Sequence, residues 1–119
     1  MTLLNLITKV KERFPSVEPK ELCQIIAELE RRVIDEIFSP CGISVDATAS
    51  NDINSPLMLG EENLSLYIYF VYAVLAIKEL DFEASNAYSS VFNEKFKELA
   101  VHYRRSNLPV KNTFLRGGI

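Results

Sequence analysis

Between Leu64 and Ile77 the chain runs Leu-Ser-Leu-Tyr-Ile-Tyr-Phe-Val-Tyr-Ala-Val-Leu-Ala-Ile, with Ser65 breaking an otherwise apolar and aromatic series. The segment is too short for a bilayer, which needs roughly 20 residues. As a helix it is apolar on every side and has to be surrounded on every side. Either the rest of a domain wraps it, or neighbouring subunits do. The flanking elements are short, which favours subunit contacts through Tyr67, Tyr69, Phe70 and Tyr72.

Those elements are helical by their spacing. Leu3, Ile7, Val10 and Phe14 recur at four, three and four, and Pro15 ends the run. Pro19 suits a first helical position, with Glu18 and Glu21 near the positive end of the dipole. From there Leu22, Ile25, Ile26, Leu29, Val33 and Ile37 form one apolar face, widened late by Ile34 and Phe38. Glu28, Glu30, Arg31, Arg32, Asp35 and Glu36 fill the polar positions. In the last helix Tyr88, Val91, Phe92, Phe96, Leu99 and Tyr103 recur at threes and fours, so Tyr88, Phe92, Phe96 and Tyr103 are read as helix-pair packing.

The predicted fold class is therefore all-α: four helices over 2–14, 18–38, 62–80 and 82–105. Residues 1–105 form a single helical domain, with a hinge of helix-compatible residues at Lys78-Glu79-Leu80-Asp81. Pro40, Gly42, Pro56 and Gly60, among Ser, Asn and Asp, make 39–61 a long loop, in which Gly42 to Asp46 is the one strand-like alternation. Loops of that length are disordered or serve binding, and disorder in the free protein is the leading expectation. Residues 106–119 read as a flexible basic C-terminal tail.

At 119 residues with 48% hydrophobic content the chain can bury an ordinary core without staples. Net charge is −3, but residues 100–119 hold Arg104, Arg105, Lys111 and Arg116 with no acid. These four are candidate docking residues for an acidic groove or a phosphate backbone, although a solvated tail has the same composition. The first eleven residues place their charge after the apolar part and lack a small-residue cleavage site, unlike a secretory signal.

Chemistry is poorly represented. Cys23 and Cys41 have no CxxC partner or nearby His, and read as free thiols in a reducing compartment. His102, the single histidine, has no carboxylate placed by sequence to orient it. With four glycines, two of them terminal, no phosphate-cradling loop can be written. The expectation is a protein without catalytic residues, cofactor or metal.

Leu66 to Tyr72, Asp81-Phe82-Glu83, Asn86, Val91-Phe92-Asn93, Phe96, Tyr103-Arg104-Arg105 and Pro109, in that order, resemble the head-tail connector (head-completion adaptor) proteins of tailed bacteriophages and prophages. The resemblance covers roughly residues 57–116. It departs at Ser85, where an aromatic is expected, and at Glu62-Asn63, where Pro-Tyr often opens the third helix. It implies a helical subunit that joins a ring-like homo-oligomer, bridges portal and tail-completion proteins, and touches channel DNA at most non-specifically. Location would be the virion, after assembly in the bacterial host cytoplasm, with no membrane contact. It also implies that Phe92 and Tyr103 pack the helix pair, that Asn86 and Asn93 make polar contacts across it, and that Arg104, Arg105 and the tail face a neighbour. The alternative reading is a small cytoplasmic helical regulatory or dimerisation module.

Overall fold

The computed structural model describes residues 1–48 and 54–106. Among these the chain is all-α: α1 (Leu3–Lys11), α2 (Pro19–Val33) continued by a π-helical turn (Ile34–Phe38), a 3-10 turn (Glu61–Asn63), α3 (Leu64–Lys78) and α4 (Phe82–Ser106).

Each start and stop has a local cause. Thr2 caps α1 by accepting the Asn5 backbone N–H at 3.3 Å, while the Asn5 side chain accepts the Thr2 N–H at 3.0 Å, a reciprocal capping box. Leu3, Leu6, Ile7 and Val10 then turn to the core. Pro19 occupies the first turn of α2, where its missing N–H costs nothing. The π turn gives α2 an extra residue per turn, closed by Ser39 N–H donating to the Ile34 carbonyl at 2.8 Å. It brings both Ile37 and Phe38 into the core, each 2% exposed. This is the late widening of the apolar face that the sequence suggests.

The third helix is wrapped by its own chain. α3 packs against α4, α1 and α2, burying Leu66, Tyr67, Val71, Ala73, Leu75 and Ala76. Ile77 is the one exposed apolar residue of the helix. Of the two ways to surround it, internal cover is the one observed, so a deficit of cover no longer argues for subunit contacts. The sequence undercounts because it assigns nothing to the long loop. Leu57 and Leu59 are 7% and 3% exposed and complete the core, and Leu57 N–H donates to the Met1 carbonyl at 2.9 Å. Of this loop, 54–60 packs on the bundle through Ser55, Leu57 and Leu59, whereas 39–48 is mostly exposed and meets the bundle through Ile43 and Thr48; residues 49–53 lie outside the described residues. Gly42 to Asp46 forms no strand, the nearest approach to sheet being an isolated Thr2–Pro56 bridge.

α3 and α4 form a tight antiparallel hairpin. Ser85, only 3% exposed, donates its hydroxyl to the Ala73 carbonyl at 2.9 Å. An aromatic residue at 85 would hold the two backbones apart, which explains why this chain carries a small one there. The corner between the helices is a Schellman turn rather than a helical hinge. Leu80 N–H donates to the Ile77 carbonyl and Asp81 N–H to the Ala76 carbonyl, both at 2.9 Å. Leu80 takes the left-handed position usually given to glycine, at φ 61°, at a cost of roughly 1 kcal/mol. Asp81 then accepts the Ala84 N–H at 3.1 Å and opens α4.

Candidate docking interface

The aromatic residues singled out by sequence divide into three groups. Tyr67 is a core residue and not a subunit contact: it is 0% exposed, so the interface assigned to it is corrected. Its hydroxyl donates to Glu30 Oε2 at 2.7 Å and accepts the Leu59 N–H at 3.1 Å. Burial, reinforced by the Glu30 carboxylate, pushes the phenol well above the ordinary tyrosine range.

Glu30 is the polar centre that sequence reasoning assigned to the solvated face of α2. It is 1% exposed. Its carboxylate accepts the Thr48 N–H at 2.8 Å, the Thr48 hydroxyl at 2.6 Å and the Met58 N–H at 3.3 Å, besides the Tyr67 hydroxyl. Four donors replace the water that a buried carboxylate loses. The signal was available: position 30 lies four after Ile26 and seven before Ile37, on the apolar face by spacing. A glutamate there requires donors, and the loop supplies three of them. The site latches loop to bundle.

Phe70, Phe92 and Phe96 form the second group, packing α3 on α4 with ring centroids 5.1 Å (Phe70–Phe92) and 5.6 Å (Phe92–Phe96) apart. Arg32 of α2 lies over Phe92 and Phe96 at 5.4 and 4.6 Å and is held by Glu36 at 3.0 Å. Tyr103 packs edge-on to Phe38 at 4.9 Å, which ties the end of α4 to the π turn.

The third group is a half-exposed tyrosine cluster. Tyr72 lies 6.3 Å from Tyr69, 5.2 Å from Tyr88 and 5.3 Å from Phe14, while Tyr69 lies 6.2 Å from Tyr88. Arg13 borders it, donating Nε–H to the Tyr88 hydroxyl at 3.1 Å. This contact is the main cause that raises the guanidinium pKa further, and desolvation raises that of Tyr72. Tyrosine and arginine on a rigid helical support are the residue types that dominate protein interfaces. Arg13 carried no sequence signal for this place, since only the fold brings it across 75 residues to Tyr88.

Arg104 and Arg105 are exposed at the end of α4, whereas Lys111 and Arg116 lie outside the described residues. Asn86 and Asn93 are exposed rather than bridging the helix pair, because the 3.6-residue period puts Ser85 and Phe92, not their neighbours, toward α3. His102 is exposed, its ring edge-on to Tyr103 at 5.1 Å. Cys23 and Cys41 are half-buried free thiols, and burial raises the Cys23 thiol, away from reactivity. Among the described residues no three His, Cys, Asp or Glu side chains converge as metal ligands. No helix among them is long and apolar enough to cross a membrane.

A scan against protein-family models finds no match, and searches of curated proteins and of solved structures find none either.

Proposed function

We propose that this chain is a head-tail connector subunit of a tailed bacteriophage or prophage, which bridges portal and tail by ring assembly and catalyses no reaction. The observation that supports this reading best is the tyrosine cluster. Tyr69 and Tyr72, which the connector resemblance includes, leave part of their rings at the surface beside Arg13 and Tyr88. A rigid aromatic patch with an arginine border suits a side-to-side contact between subunits. The exposed Arg104 and Arg105 suit contacts to the portal or, weakly, to the DNA backbone. Its place of action is the virion, reached by assembly in the host cytoplasm.

The test is deletion of the gene in a lysogen followed by induction. The proposal predicts DNA-filled heads and free tails that fail to join, restored by the wild-type gene in trans. Infectious tailed particles from the deletion strain overturn it. One observation favours the second reading, a small helical regulatory or dimerisation module: because α3 is covered by its own chain, the fold is complete without a ring. A tight dimer that controls expression of a neighbouring gene is the outcome that reading predicts.

A further inference from the structure

The α3–α4 corner exposes three large apolar side chains in six residues: Ile77 at 51%, Leu80 at 74% and Phe82 at 59%. Leu80 also sits at φ 61°, where glycine would be free of strain and would expose nothing. Neither the fold nor solubility accounts for leucine at this position. Around it Glu79, Asp81 and Glu83 are exposed, while the nearby cation Lys78 is already paired with Glu21. The corner is thus an apolar knob with an acidic rim.

Two such knobs do not suit each other. Meeting tip to tip they would place acidic rims together and leave each apolar tip without a pocket. A knob of this size is an anchor for a pocket. The opposite end of the hairpin has one, a groove of about 260 Å³ between the start of α3 and the last turns of α4. Its floor includes Leu66, Leu99 and Tyr103. Lys95 and His102 line it, with Arg104 and Arg105 just beyond, against the acids Glu62 and Glu98. On α4 the groove is lined from Lys95 to Tyr103, about 20–32 Å along the helix from Phe82, so the corner of a chain cannot reach the groove of the same chain.

We infer that the corner of one copy inserts Leu80 and Phe82 into the α3–α4 groove of a second copy, with its acidic rim against the basic end of that copy's α4. The contact is heterologous, the kind that propagates head to tail and generates rings when the rotation closes. It deepens the connector reading by naming the surfaces that join subunits, and rests on that reading for its biological setting only.

Sedimentation velocity on the full chain tests it with two variants. Leu80→Gly combined with Phe82→Ser removes the knob. Ser65→Trp combined with Arg104→Glu blocks the groove from exposed positions. Wild type is expected to form concentration-dependent species larger than a monomer, and each variant to associate at least tenfold more weakly. An equimolar mixture of the two variants is expected to stop at a dimer, since one intact knob and one intact groove remain. Leu80→Gly alone should raise the thermal midpoint while it weakens association, a pair of signs that a merely structural role for Leu80 does not produce. A wild type that stays monomeric at several hundred micromolar, a knob variant that assembles like wild type, or a variant mixture that stays monomeric overturns the inference. Rings that persist in the knob variant would overturn this contact and leave the connector reading standing. Loss of the contact together with a deletion strain that still yields infectious particles would remove both.

Discussion

Tyr67 of α3 donates its hydroxyl to Glu30 of α2 across 2.7 Å, both residues 1% exposed or less. That bond joins the central helix to the carboxylate on which the loop before α3 is hung. Tyr67→Phe removes it and leaves the Leu59 N–H without its 3.1 Å acceptor, so chemical denaturation should show a loss of about 1–3 kcal/mol. Glu30→Leu takes the carboxylate from four donors, of which the Met58 N–H keeps the Thr48 hydroxyl at 2.8 Å, and should cost about 3–5 kcal/mol. A Glu30→Leu protein as stable as wild type would show that the latch contributes nothing net.

The same phenol sets an alkaline limit. Because the folded state holds its pKa above the ordinary value, the folded protein keeps a proton that the unfolded chain gives up above about pH 10. Stability from this group is fully present below that pH and declines as pH rises beyond it. Urea midpoints followed from pH 8 to 11.5 should fall at the upper end, and Tyr67→Phe should have a shallower fall. Parallel slopes in the two proteins would contradict the assignment.

Much of this was legible in the sequence, and several of the failures share one cause. Helical spacing gave the four helices, and Pro15, Pro19 and the Tyr88–Tyr103 stripe gave their limits and the inner face of α4, because those signals are local. Glu30 was missed although its spacing places it on the apolar face of α2, whereas Thr48 and Arg13 were missed because their partners are remote in sequence: 18 residues separate Thr48 from Glu30, and 75 separate Arg13 from Tyr88. The same blindness left the loop out of the core and made α3 look uncovered. At the corner, Leu80 gave no warning, since a non-glycine residue in a left-handed turn leaves no sequence trace.

Phe92, 3% exposed and in contact with Phe70, Phe96 and Arg32, is the anchor of the α3–α4 hairpin. Phe92→Ala should destabilise by about 3–5 kcal/mol through lost burial and the cavity left behind. Thermal and denaturant melts check it, and a loss under about 1 kcal/mol would mean that the hairpin does not depend on this ring.

Ser85 ties α4 directly to the backbone of α3. Ser85→Ala should cost only about 1 kcal/mol, the net worth of one hydrogen bond, whereas Ser85→Phe should cost about 1–3 kcal/mol or more by overpacking. Circular dichroism melts of the pair distinguish them, and equal effects would rule out a steric limit at this position.

The connector reading meets its most direct test in the virion itself. Particles purified from an induced lysogen that encodes this chain are digested and analysed by quantitative mass spectrometry against the major capsid protein. The account predicts the chain at a fixed, low ratio to capsid, retained in tailed particles and cross-linked to its own copies through the Leu80 corner. Tailed, infectious particles that lack the chain would contradict it.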